Sequence, residues 1–243
     1  MRIAAIQLEV TDAELAAERV HRAADLVRAQ ADVDLVVLPE LWMPGAFAYT
    51  QWVDSAEGLD GPTVDALAVA ARDVGAHVHM GSLIERDGAD LYNTSVLLGP
   101  DGGVEAAYRK IHLFGFGEGE PTLLSAGKEV VVADVAGTPV GLSTCYDLRF
   151  PEMYRALLDA GAEVVLCVAG WPAARIEHWS TLARARAIEN QVVMVAVNTA
   201  GTHAGKEMGG RSVVVDARGE ALAEAATSED VLTVNIDVPN IHE

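Results

Sequence analysis

Basic residues are scarce in this 243-residue sequence, where 17 lysines and arginines stand against 36 aspartates and glutamates to leave a formal net charge of −19. A chain of that sign repels nucleic acid and anionic lipid and gives phosphates little to bind, so its partners are expected to be small molecules or further copies of itself. Cysteine is rarer still, with only Cys145 and Cys167. Two thiols are too few for a disulfide framework, and their separation is not the CxxC spacing of a metal site, so at least one is free for chemistry. Long apolar runs are missing as well. The opening MRIAAIQLEV reaches Glu9 too soon for a signal-peptide core or a membrane span. These absences point to a cytoplasmic protein with no membrane and no nucleic-acid partner. What is present in quantity is apolar surface: 51% of the residues are hydrophobic and 22% charged, which excludes disorder and permits a large core.

Apolar runs of strand length alternate with amphipathic runs of helix length, and no linker or low-complexity tract divides them, so residues 1–243 read as a single α/β domain. Residues 1–8 read as a strand. Thr11 with Glu14 makes a capping-box pattern, after which Ala16, Val20, Ala23, Ala24 and Val27 fall on one helical face. A strand at 35–38 and a helix at 63–74 follow. Residues 77–84, 94–98, 104–108, 130–135 and 140–144 read as strands separated by Gly-Pro, Asp-Gly and Gly-Thr-Pro turns. Beyond Phe150 come a helix, a strand at 164–168, a long helix at 176–190, and strands at 192–198, 213–215 and 231–236. The segments DVDLVVLPELWMPG and GAEVVLCVAGWP echo one another, each running through a strand into a loop with Trp and Pro. Such an echo suggests two similar halves, although any βαβ chain can repeat this pattern.

In VGLSTCYDLRFPE an apolar strand ends at Thr144, and Pro151 with Glu152 suits the first turn of a helix. Cys145 therefore falls on a strand-to-helix turn resembling a nucleophile elbow. There the helix N-terminus favours a thiolate, and the N–H of Tyr146 can point at an oxyanion. A small buried core residue is the competing reading for this cysteine, and it is the preferred one for Cys167 inside VVLCVAG. A nucleophile needs a base, and the histidines lack the surroundings of known cysteine–histidine pairs. Glu40 ends DLVVLPE, where open α/β sheets place site residues outside the carboxyl ends of strands. Lys110 similarly follows a strand, between Arg109 and the apolar Ile111, Leu113 and Phe114.

Taken together, Leu38-Pro39-Glu40, Tyr108-Arg109-Lys110-Ile111-His112-Leu113-Phe114 and Cys145-Tyr146-Asp147-Leu148-Arg149-Phe150-Pro151-Glu152 resemble, in order and spacing, the motifs of the nitrilase (carbon-nitrogen hydrolase) superfamily. The likeness continues through GWPAARIEHWSTLARARAIENQ and VNTAG, so it spans nearly the whole chain. It implies a four-layer αββα sandwich with mixed β-sheets, a homodimer or larger homo-oligomer, and a Glu-Lys-Cys triad that uses no metal and no organic cofactor. Carried over residue by residue, it makes Glu40 the base that takes the thiol proton and later activates water, Cys145 the nucleophile, and Lys110 the cation beside the oxyanion. Glu120, by its spacing to Gly127, matches the second glutamate that holds the lysine, with Glu118 as the alternative.

Lesser candidates surround these. Trp171 is expected to wall the substrate pocket, Arg175 or Arg109 to meet a substrate carboxylate, and Arg149 with Glu152 to brace the cysteine turn or to form a surface pair. His77 and His79 alternate along one strand without a third metal ligand placed by sequence. The CYDLRFPE form is similar to the amidase branches acting on ω-amides of oxo acids or on deaminated glutathione, so a small linear amide is expected as substrate. The alternatives are a nitrilase, an N-carbamoyl hydrolase or an acyl transferase with the same triad, or a non-catalytic interaction protein on the same fold. One departure concerns assembly. Family members commonly continue past the last strand with a tail that packs on the partner subunit, whereas this sequence stops at NIDVPNIHE, which leaves the dimer geometry open.

Overall fold

A computed structural model describes residues 1–115, 117 and 119–238. Strand β1 (Arg2–Gln7) is buried from its second residue onward, and α1 (Ala16–Arg28) turns Ala23, Ala24 and Val27 inward. The helix does not start from the expected Thr11–Glu14 box. Leu15 is its N-cap, and Glu18 accepts the Leu15 N–H at 3.1 Å. Glu14 instead pairs with Arg19 and Arg22 at 3.2 and 2.7 Å, because guanidiniums outcompete a backbone amide for a carboxylate.

Strand β2 (Leu35–Val37) is followed by α2 (Tyr49–Ser55), a short helix with no apolar periodicity to announce it, and by α3 (Pro62–Val74), which opens on its proline and ends at Gly75 with φ 68°. Strands β3 (His77–Asp87) and β4 (Asp90–Leu98) extend beyond the expected 77–84 and 94–98. Their pairing continues through Arg86↔Leu91 and Asp87↔Asp90, where ladder hydrogen bonds hold an exposed hairpin end that burial does not signal. Next come β5 (Val104–Arg109), α4 (Glu120–Leu123), β6 (Val131–Val135) and β7 (Thr138–Thr144). A 3-10 turn (Cys145–Arg149) leads into α5 (Pro151–Asp159), β8 (Val164–Ala169), a second 3-10 turn (Ala173–Arg175), α6 (Ile176–Asn190) and β9 (Val193–Asn198). The described chain closes with the small hairpin β10 (Thr202–His203) and β11 (Lys206–Glu207), then β12 (Val213–Val215), β13 (Ala221–Glu224) and β14 (Asp230–Asn235).

Two six-stranded sheets result, in the orders β14-β1-β2-β3-β4-β5 and β13-β12-β9-β8-β7-β6. Alternation along β1 shows how they are layered. Ile3 and Ala5 join Leu35, Val37, Val140, Leu142 and Val164 in a core shared by both sheets, while Ala4 and Ile6 face Ala23, Val27, Leu67 and Ala71 of α1 and α3. On the second sheet Met153 and Leu157 of α5 and Ala183 and Ala187 of α6 supply the outer cover. The layers thus run α-β-β-α and the sheets are mixed, as the resemblance implied. The sequence echo has a topological counterpart: β2 and β8 are each the middle of three parallel strands, β1-β2-β3 and β7-β8-β9. Both echoing loops therefore leave carboxyl ends of central strands, where parallel sheets present site residues.

Candidate active site

Glu40 follows β2 at the end of the LPE segment and is 2% exposed. The chain can bend there because Gly81, with φ 73°, lets β3 lie against the Pro39 carbonyl, which any Cβ at position 81 would strike. Glu40 Oε1 accepts from Lys110 Nζ at 2.7 Å and from Asn93 Nδ2 at 2.8 Å, and Oε2 accepts from the Gly170 N–H at 2.8 Å. Lys110 continues β5 by donating its backbone N–H to Asn93 O at 2.8 Å, so the strand ladder itself aims its side chain. Its Nζ also lies 3.0 Å from Glu120 Oε1 and 2.9 Å from Glu120 Oε2. Burial opposes the charge on Lys110, yet Glu120 and Glu40 outweigh it and hold the ammonium well above the ordinary lysine range. Glu120 is equally buried, which raises its carboxyl against the pull of Lys110, and its Oε2 accepts from the Phe114 N–H at 2.6 Å.

Cys145 begins the 3-10 turn with φ 49°, a left-handed conformation that a non-glycine residue keeps only when its surroundings enforce it. The enforcement comes from Asp147 and Arg186. Asp147 Oδ2 accepts from the Thr144 N–H at 2.9 Å and from Tyr108 Oη at 2.7 Å. Its Oδ1 accepts from His112 N at 3.0 Å and lies 2.7 Å from His112 Nδ1. Arg186 donates twice to Leu148 O, at 3.0 and 2.8 Å. A fully buried carboxylate thereby ties the turn carrying Cys145 to the segment carrying Lys110, one on each sheet. Tyr146 follows in the first turn of this 3-10 helix, where a backbone N–H has no acceptor within the helix and is free to meet an incoming oxygen.

The thiol corrects one expectation. Although Cys145 as a residue keeps partial exposure, burial of the sulfur, reinforced by Glu40, pushes the thiol well above its ordinary range, with Lys110 opposing. The helix N-terminus does not produce a resting thiolate. The sulfur interacts with Glu40 by hydrogen bonding and with Lys110 through space, so a neutral thiol, a carboxylate and an ammonium converge. Such a trio can move a proton off sulfur on demand and balance negative charge on a nearby oxygen.

Cys145 opens into a small pocket walled by Phe47, Phe114, Tyr146 and Trp171, with Arg149 and Arg175 also on its lining. Trp171 is fixed by its indole N–H to Arg175 O at 2.9 Å and by its backbone N–H to Asn198 Oδ1 at 2.6 Å. Arg175 lies 5.3 Å over the Phe114 ring and Arg149 lies 4.9 Å over Trp171. Arg149 does not pair with Glu152, because its guanidinium turns to His178 Nδ1 at 3.1 Å and to the indole. Neither pocket arginine has a carboxylate partner among the described residues. Arg109, by contrast, is turned away from the pocket and held by Glu85 and Asp87 at 2.6 and 2.7 Å.

The remaining candidates separate cleanly. Cys167 is fully buried, and burial pushes its thiol up to about 12. His77 Nε2 lies 3.3 Å from Glu105, while His79 is wholly buried and its imidazole is pushed down to about 4 by burial. Among the described residues no group of three or more His, Cys, Asp and Glu is placed to hold a metal ion, and no helix is long and apolar enough to cross a membrane. Glu118 lies outside the described residues. Sequence reasoning passed over Asn93, Phe47 and the latch made by Asp147. Asn93, a wholly buried amide within the strand LYNTSV, carried the one readable signal, since a buried polar side chain must find a partner.

Comparison with known proteins agrees with this geometry. Residues 2–243 match the carbon-nitrogen hydrolase family. A 2-oxoglutaramate amidase of Paenarthrobacter nicotinovorans is 43% identical over 99% of this chain and 85% of its own length. The omega-amidase of Mus musculus is 32% identical over 100% of this chain and 90% of its own. A CN-hydrolase superfamily protein of Xanthomonas campestris, solved with an arsenic adduct in the active site, superposes with a TM-score of 0.90 at 34% identity, covering 98% of this chain and 90% of that one. An amidase of Nesterenkonia sp. AN1, solved with acrylamide added to its active-site cysteine, gives 0.86 at 27% identity, covering 98% and 93%.

Proposed function

The chain belongs to the carbon-nitrogen hydrolase family, and from that premise we propose that it is an amidase cleaving a small linear ω-carboxamide, one with a carboxylate at its far end, to a carboxylate and ammonia. In this reading Glu40 takes the Cys145 proton as sulfur attacks the amide carbon, and Lys110 with the Tyr146 N–H balances the tetrahedral oxyanion. The C–N bond then breaks, Glu40 returns the proton to the nitrogen, and ammonia leaves a thioester on Cys145. Water, deprotonated by Glu40, attacks that thioester, and the departing sulfur recovers its proton. Glu120 holds Lys110 in place throughout.

The observation that carries the reading is the convergence of Glu40, Lys110 and Glu120 beside Cys145, with Lys110 Nζ 2.7 Å from Glu40 Oε1 and 3.0 Å from Glu120 Oε1. A cysteine whose proton is retained by burial needs a base within reach, and Glu40 is that base, with Lys110 already beside it. The carboxylate on the substrate is supported by Arg149 and Arg175, cations without an acidic partner among the described residues on the lining of a small aromatic pocket in an otherwise acidic protein. That the named relatives act on 2-oxoglutaramate and on omega-amides fits the same substrate shape.

The test measures ammonia release from a panel of short ω-amides, each with and without a terminal carboxylate, in the native protein, Cys145→Ala and the double variant Arg149→Met/Arg175→Met. Release is expected to vanish in Cys145→Ala. In the arginine variant KM should rise about tenfold to a hundredfold for the carboxylate-bearing amides alone. Undiminished release from Cys145→Ala ends the mechanism, and equal use of neutral and carboxylate-bearing amides ends the substrate assignment. The same proposal has the chain working as one hydrolase domain in the cytoplasm, where two unpaired thiols persist, and as a homodimer or larger homo-oligomer, which light scattering would test.

A further inference from the structure

We propose that Asn93 is a positioning residue for the reaction, its side-chain amide bridging Glu40 and Glu120 so that Glu40 stays turned toward Cys145. The inference rests on the reading of Glu40 as the base. Asn93 sits in β4 opposite Lys110, whose backbone N–H it accepts at 2.8 Å, and is wholly buried. Its Nδ2 donates to Glu40 Oε1 at 2.8 Å and to Glu120 Oε1 at 2.7 Å. One side-chain nitrogen thus serves both acids that flank the lysine.

Two features give this arrangement a direction. First, Asn93 Oδ1 is buried without a hydrogen-bond partner among the described residues, an arrangement that costs stability. Turning the amide over would place that oxygen against two carboxylates, so the unpaired carbonyl follows from aiming both N–H groups at the acids. Second, an N–H can only donate, so two donors directed at two acids fix where each carboxyl oxygen lies. Lys110 Nζ alone must otherwise balance both charges in a site sealed from water. Asn93 and Lys110 also share Glu40 Oε1, while the Gly170 N–H holds Oε2, which fixes the plane of the carboxylate that must meet the thiol.

The charged and titratable groups facing Asn93 are Glu40, Glu120 and Lys110, with Cys145 beyond Glu40. An aspartate in its place keeps the shape but adds a third acid around one ammonium, which raises the protonation of the set. In Asn93→Asp, kcat is expected to fall about tenfold to a hundredfold with KM nearly unchanged, because a carboxylate displaced by a fraction of an ångström still leaves the pocket intact. The acid limb of the kcat/KM profile is expected to move to higher pH by about one unit.

The experiment measures kcat, KM and the pH profile of ammonia release in the native protein, Asn93→Asp, Asn93→Ser and Glu40→Gln, with circular dichroism to establish folding. Asn93→Ser, with a single O–H donor, serves only one acid and decides the matter if the aspartate variant does not fold. It should lose kcat and leave KM in place. Native kcat in a folded Asn93→Ser, or an unmoved acid limb in a folded Asn93→Asp, overturns the proposal. Activity persisting in Glu40→Gln removes the underlying reading instead, so the two failures are told apart.

Discussion

The backbone N–H of Gly170 donates to Glu40 Oε2 at 2.8 Å, joining the loop after β8 in one sheet to the loop after β2 in the other. These are the two segments that echo one another in sequence, and the candidate site lies where they meet. A side chain at 170 has no room, because its Cβ would run into Ala46 while standing 3.6 Å from Glu40 Oε2. Gly170→Ala is therefore expected to force the loops apart, cost about 1–3 kcal/mol of stability and lower kcat more than it changes KM. Urea unfolding alongside steady-state kinetics checks this, and native values for both would refute it.

Removing the buried cation leaves two acids facing one another. Lys110→Met is expected to destabilise the fold by about 3–5 kcal/mol, the usual result of breaking a buried ion pair from one side. Its kcat should fall by at least about a hundredfold as the oxyanion loses its charge partner. Denaturant midpoints and single-turnover rates measure the two effects separately.

Acid should weaken the fold through its buried histidines. His79 and His203 ionise near 4 in the folded chain because burial resists their charge, against an ordinary value of 6.5. Their folded values are lowered, so the unfolded chain takes up protons first. The stabilisation is complete above about pH 6.5 and is lost as pH falls toward 4, on the order of 3 kcal/mol for each histidine. Both ring nitrogens of His203 lack a partner among the described residues. His203→Leu should accordingly shrink the loss between pH 6.5 and 4, as read from unfolding midpoints at several pH values, and an unchanged slope would count against the assignment.

Asp147 supplies acceptors to Thr144, Tyr108 and His112 at once. In Asp147→Asn one oxygen becomes an NH2 group facing donors, which is expected to cost about 3 kcal/mol and to let the strained turn at Cys145 relax. Activity should fall with stability, and calorimetry paired with kcat is the check. Native kcat in this variant would show that the latch does not set the position of the sulfur.

Much of this was readable before any coordinates. Continuous apolar runs announce β1 and β8, and an apolar face at helical spacing announces α3, because those elements bury their surfaces and leave a pattern in the residues. Glu40, Lys110 and Cys145 each follow a strand, and three motifs in order carried the family. The hairpin end of β3 and β4 was hidden because backbone pairing there holds exposed residues. The helix α1 began later than Thr11 suggested because Glu14 had stronger partners than a backbone amide. The sequence makes Arg109 a candidate substrate contact and Arg149 a structural brace, whereas the structure holds Arg109 on Glu85 and Asp87 and sets Arg149 on the pocket lining. Adjacent residues on a strand point to opposite faces, so Arg109 departs from the side on which Lys110 meets Glu40, and sequence alone does not say which face is which. Asn93 is legible only as a polar residue within a strand, because the partners it bridges are far away in the chain.

Burial pushes the Cys145 thiol up, so the readiness of its sulfur to attack depends on a base close enough to take the proton. Its reactivity is switched on locally, when an occupant of the pocket gives the released proton a destination.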